Sequence, residues 1–159
     1  VPEGRHEITT EGGLDVLAQE VRLKDVIARL ADAGILTSVF IDAEPEQIEA
    51  TARIGARVCE IHTGPYAHAF HAAGRDAEAP AVLAELDKIR TAGEAVRSLG
   101  MRFNAGHALN YYNVEPIARL HGIRELHIGH SIVSRSIFVG LRAAVAEMKR
   151  LMRAAAQGA

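Results

Sequence analysis

Two short segments set a glycine beside a histidine at the end of an apolar run: Phe103-Asn104-Ala105-Gly106-His107-Ala108 and Leu126-His127-Ile128-Gly129-His130-Ser131-Ile132. Glycine lets a backbone approach a ligand closely, and the imidazole beside it can donate or accept a proton near neutral pH. The second segment opens directly into a helix, whose free N–H groups and positive dipole end suit a phosphate. One Gly-His pair alone is more often a core or capping histidine. Two pairs at equivalent points of successive units favour a shared chemical task. Glu60 is the next candidate, because it interrupts the apolar run Arg57-Val58-Cys59-Glu60-Ile61-His62 on the same strand face as His62. A carboxylate there is either an ion pair with Arg102 or another strand-end base, or an anion that offsets developing positive charge such as an iminium. His62 is open to the same two readings.

Other segments speak less clearly. Glu7-Ile8-Thr9-Thr10-Glu11-Gly12-Gly13 reads as a capped loop, or as a source of hydroxyls for a sugar or phosphate. His68 and His71 stand three residues apart, but no Cys, Asp or third His sits at matching ligand spacing, so no metal is expected. Neither a nucleophile elbow nor a phosphate-binding P-loop is present.

The frame for these residues is an alternation of strands and helices. A helical pattern over 14–33 precedes a strand at 37–42, and a short helix over 45–54 precedes a strand at 57–62. Residues 64–77 have weak periodicity and read as a long loop. A helix over 80–98 leads to a strand at 101–105, and Asn113 is placed to cap a short helix ending near Leu120. A strand at 125–128 and a C-terminal helix over about 136–155 complete the series. Such units predict an α/β fold with a parallel sheet. A complete eight-fold barrel needs about 250 residues, so the choice lies between part of a barrel and an open doubly wound sheet. Against the open sheet, the glycine-rich first turn of dinucleotide-binding folds is missing. In either architecture Glu60, His107 and His130 fall at the ligand-binding ends of strands.

Composition narrows the partners. The 159 residues are 48% hydrophobic and 24% charged with a formal charge of −2, which suits one folded domain and offers no electrostatic case for nucleic acid or an anionic membrane. Aromatic content is 4% with no Trp, so a base-stacking platform is not expected. No apolar run approaches bilayer-spanning length, and no signal-peptide layout is visible. The single Cys59 makes no internal disulfide, which points to a reducing cytoplasm.

Several motifs together carry a specific likeness: VPEGRHEITTEGGLDV, FIDAEPEQI, EIHTGPYA, FNAGHALNYYNV, LHIGHSIV and GLRAAVAEMKRLM. From Val1 to about Met152 the chain resembles the pyridoxine 5′-phosphate synthase family of bacterial vitamin B6 synthesis. The resemblance implies a parallel (β/α) barrel of TIM type with added helices. It implies condensation of 3-amino-2-oxopropyl phosphate with 1-deoxy-D-xylulose 5-phosphate to pyridoxine 5′-phosphate, phosphate and water, with no organic cofactor. It also implies a homo-oligomer, since the family tends to octamers.

By position, His107 matches the family's proton donor, and Ala108 stands where many members have glycine on the aminoketone phosphate side. A backbone N–H serves there, so alanine is expected to hold an ordinary φ. Gly129 and His130 match a phosphate contact, Thr9 a deoxyxylulose phosphate contact, and Glu60 the transition-state stabiliser. The loop over 67–79 is longer than usual. The family's N-I-D-H-I-type segment, its phosphate arginine and its histidine and glutamate proton acceptors have no counterpart here. The chain is thus expected to form one domain, 1–159, supplying about the last four βα units, with the N-terminal barrel strands absent from this sequence. Two rival readings stay open. One is another phosphate-binding barrel of aldolase or isomerase type. The other is an incomplete half-barrel that only binds phosphate or assembles.

Overall fold

The computed structural model describes residues 12–158. A 3₁₀ turn at Leu17–Gln19 leads into α1 (Glu20–Asp32), β1 (Ser38–Ile41), α2 (Pro45–Arg53), β2 (Val58–His62), α3 (Gly64–Ala72) and α4 (Pro80–Ser98). Then follow β3 (Arg102–Gly106), α5 (Val114–Ala118), β4 (Ile123–His127), α6 (His130–Val139) and α7 (Leu141–Gln157). The four strands are parallel and lie in the order β1-β2-β3-β4. A doubly wound sheet reverses direction at a switch point. Here each strand is laid beside its predecessor in one direction, the order of a barrel wall. Right-handed crossovers then place the connecting helices on one face.

Period-two alternation separates the two faces of the sheet. Val39, Ile41, Cys59, Ile61, Phe103 and Ala105 are buried and join Ile48 and Ile54 from α2, Val82, Ile89 and Val96 from α4, and Ile117 from α5 in one apolar core. Helix α4 comes close because Gly93 has no side chain: an added Cβ would lie 2.4 Å from Cε1 of Phe103. Burial pushes the Cys59 thiol up to about 12, so it behaves as a small core hydrophobe. The opposite face is polar. Phe40, Glu60, Asn104 and Glu125 form one row across the strands, and His62, Gly106 and His127 form the next row toward the C-terminal ends.

Three local expectations need correction. The presumed loop over 64–77 begins as helix α3, with Pro65 in its first turn and Tyr66, Ala67 and Phe70 buried. Alanines elsewhere in the segment favour helix without marking a face, which hid the periodicity. The presumed single C-terminal helix is two, α6 and α7, divided at Gly140 with φ +81° and ψ +149°. Helix α6 starts at His130, where the second Gly-His segment was expected to open into a helix, and its Ile, Val and Ser residues are weak helix formers. Asn113 does stand before α5, yet its side chain makes no capping bond to that helix.

Candidate active site

Glu60 is the centre of the polar face. Its Oε2 lies 2.6 Å from Nδ1 of His127, and its side chain is only 15% exposed. Of the ion-pair partners expected for it, Arg102 is exposed and makes no such contact, and the strand-end base that does is His127. The pair spans β2 to β4 across β3, and Gly106 makes that reach possible. A Cβ on Gly106 would lie 2.4 Å from Glu60 Oε1 and 2.9 Å from the carbonyl oxygen of His127. The glycine of the first Gly-His pair thus makes room for a carboxylate. Glu125 Oε2 sits 3.6 Å from Nε2 of the same histidine and 3.4 Å from Nδ2 of the buried Asn104.

A second carboxylate–imidazole pair lies beside it. Nδ1 of His62 is 2.7 Å from Oδ1 of Asp42, and the N–H of Gly13 donates to the other carboxylate oxygen at 3.2 Å. His62 is 7% exposed, and its Nε2 is buried with no hydrogen-bond partner among the described residues. Nδ1 faces the carboxylate, so Nε2 is the ring nitrogen left without a partner.

His107 follows β3 on a left-handed stretch, with φ +81° there and +57° at Ala108. The expectation of an ordinary φ at Ala108 is therefore wrong. Alanine here takes the backbone shape of a glycine, at a cost of about 1–2 kcal/mol. Several bonds hold the turn. The buried Thr63 hydroxyl lies against the carbonyls of Gly106, at 2.7 Å, and His107. Asn113 accepts from the Asn110 N–H at 2.7 Å and donates to the Ala108 carbonyl at 3.3 Å. Tyr66, whose phenol burial pushes up to about 12, donates to the Asn113 carbonyl at 2.9 Å.

Burial and the positive fields of His62, His130 and His68 hold the His107 imidazole below its ordinary range. It therefore rests neutral at pH 7 and accepts a proton before giving one. The same depression sets a sign for stability. The unfolded chain binds this proton more readily, so acidification from the ordinary imidazole range through the folded-state value works against the fold.

Helix α6 begins at the end of β4. Gly129 precedes it with φ −112° and open space where a Cβ would be, and its carbonyl accepts the Val133 N–H at 3.0 Å. The N–H groups of the first turn have no acceptor inside the helix and point back toward the strand ends. Ser131 ties this terminus to the His107 loop through a 2.8 Å bond to the Leu109 carbonyl. His130, the first residue of α6, is exposed.

Glu60, His107, Ala108, Gly129 and His130 thus all fall at or near the C-terminal ends of β2, β3 and β4. Thr9 lies outside the described residues. His68 and His71 are exposed on α3, and among the described residues no three His, Cys, Asp or Glu side chains cluster to hold a metal ion. Sequence reasoning missed Asp42, Thr63 and His127 as parts of this site. Asp42 carried the one usable signal, an acidic residue ending an apolar strand.

A sequential parallel sheet with carboxylate–imidazole pairs and a helix N-terminus at its C-terminal edge fits part of a βα-barrel, the class of fold in which that edge carries the site. The particular relationship is closer than class. The chain belongs to the family described as pyridoxal phosphate biosynthesis protein PdxJ, whose model it matches over residues 1–154. It is 83% identical over 158 residues to the pyridoxine 5′-phosphate synthase of Azoarcus sp. (strain BH72), covering 99% of this chain and 64% of that protein. It is 81% identical over 157 residues to the synthase of Dechloromonas aromatica (strain RCB), covering 99% of this chain and 62% of that protein. With the synthase of Rhodopirellula baltica the identity is 54% over 152 residues, or 96% of this chain and 58% of that protein. The chain spans a little under two thirds of the length of such relatives.

Proposed function

We propose that this chain carries the C-terminal half of the active centre of a pyridoxine 5′-phosphate synthase, joining 3-amino-2-oxopropyl phosphate to 1-deoxy-D-xylulose 5-phosphate. The observation that carries this reading is the convergence of Glu60, His107 and the α6 N-terminus at one sheet edge, in a chain 83% identical to a synthase. In this reading the amine condenses with the ketone to an imine, and phosphate loss, ring closure and dehydration give the pyridine ring. Glu60, held by His127, offsets positive charge on the iminium. His107, neutral at rest, takes a proton from one position and returns it to another. Gly129 and His130 hold a phosphate on the first turn of α6. Ala108 offers its N–H to the aminoketone phosphate side, and Thr9 contacts the deoxyxylulose phosphate.

Residues 1–159 in this reading form one domain, an arc of the barrel, acting in the cytoplasm. No helix among the described residues is long and apolar enough to cross a membrane. Helix α6 exposes Val133, Ile137 and Phe138 at 60, 79 and 81%, an apolar strip that supports assembly into a homo-oligomer. No lysine lies in β1 to β4, which weighs against a Schiff-base aldolase.

The test is a two-substrate assay on the full-length protein. Both phosphorylated substrates together should yield pyridoxine 5′-phosphate, while either one alone yields neither product nor free phosphate. Equal phosphate release from one substrate alone would overturn the reading in favour of a different phosphate-binding barrel enzyme.

A further inference from the structure

The Asp42–His62 pair has no part in the chemistry set out above, yet it is built with care. Asp42 is fixed at both oxygens, by His62 at 2.7 Å and by the Gly13 N–H at 3.2 Å. An added Cβ on Gly13 would lie 2.2 Å from the Asp42 backbone nitrogen, so the two segments meet closely. On the far side of the ring, an added Cβ on Gly64 would lie 2.3 Å from His62 Nε2, so only glycine admits the imidazole there. Phe40 packs edge-on against His62 at 5.1 Å between centroids. What remains of the ring meets His107, at 4.9 Å and 68° between planes.

We propose that Asp42 and His62 are a positioning pair that fixes the direction of the His107 imidazole. His107 stands on a left-handed turn and is only part-buried, so its backbone alone does not set its ring. Contact with an anchored ring does. Nε2, without a partner among the described residues, is shut away under Gly64, so His62 acts through His107 and not on a substrate. Other ionisable groups around His107 come from different elements: His68 from α3 and His130 from the start of α6, with the Glu60–His127 pair along the same sheet edge. Among the described residues, His62 is the ionisable side chain whose ring packs on that of His107. The inference rests on the proposed reaction for the role of His107, but the placement of its ring can be read without turnover.

Two variants of the full-length protein test it. Asp42→Asn keeps the shape of a half-exposed side chain and removes the anionic anchor; His62→Phe keeps a ring and removes its nitrogens. Asp42→Asn should lower kcat about 10- to 100-fold with KM within about twofold, as misplacement of a reacting group does. In histidine ring NMR, the His107 titration midpoint should rise in His62→Phe, because a neighbouring positive field has gone while the packing stays. A kcat within twofold of wild type in Asp42→Asn, or a His107 titration that superimposes on wild type in His62→Phe, overturns the proposal. A wild-type protein that makes no product refutes the reaction instead, and the NMR comparison still decides the ring contact.

Discussion

His107→Ala lowers turnover of the full-length protein by roughly 10²- to 10⁴-fold, the range that a positioned proton-transfer group supplies. The fold should survive the change, because the His107 side chain is part-exposed and its turn is held by backbone carbonyls. Thr63 binds the carbonyls of Gly106 and His107, and Asn113 binds that of Ala108. Alanine is less suited than histidine to the left-handed φ of +81°, so a small loss of stability accompanies the change. Substrate phosphates in the proposed site rest on backbone N–H groups of the α6 terminus and Ala108, not on the imidazole, so KM should change far less than kcat. Initial rates of phosphate release over a substrate range separate the two constants. Turnover within threefold of wild type would remove His107 from proton transfer.

Gly106→Ala produces the second large effect, and it shows in two readouts. The new methyl would lie 2.4 Å from Glu60 Oε1 and 2.9 Å from the carbonyl oxygen of His127. The carboxylate can swing aside, but the backbone carbonyl cannot without shifting β4. Overpacking of this kind costs about 1–3 kcal/mol, read as a lower urea midpoint. Displacing Glu60 also separates it from His127, and a misplaced charge-stabilising group lowers turnover on the order of 100-fold. Gly129→Ala is the matched stability control, since nothing lies within 4 Å of its added Cβ and its φ of −112° suits any residue. Its unfolding free energy in urea should stay within about 0.5 kcal/mol of wild type. Equal stability losses in the two variants would contradict the crossing of β3 described here.

Much of the frame was legible from residue types alone. The runs Ser38–Ile41 and Val58–His62 are strands because β-branched and apolar residues follow one another between glycines and prolines. The period of two placed Glu60 and His62 on one face before any contact was known. Less legible were α3, whose alanines favour helix without marking a buried side, and the break at Gly140 that divides α6 from α7. The partner of Glu60 was hidden for a different reason. His127 becomes its neighbour only through the register of three strands and the missing side chain of Gly106. The left-handed turn at Ala108 was invisible because alanine, unlike glycine, does not advertise a positive φ. Asp42 and Thr63 looked like ordinary residues at strand ends, and only their distances to His62 and to the Gly106 carbonyl give them a role.

The central claim is that nitrogen from one phosphorylated substrate is built into a ring with carbon from the other at this sheet edge. It is tested most directly by giving the full-length protein 3-amino-2-oxopropyl phosphate carrying ¹⁵N together with unlabelled 1-deoxy-D-xylulose 5-phosphate. The account predicts ¹⁵N in the pyridine ring of pyridoxine 5′-phosphate, with one equivalent of inorganic phosphate for each ring formed. Label recovered as free amine or ammonia while phosphate is released would contradict it.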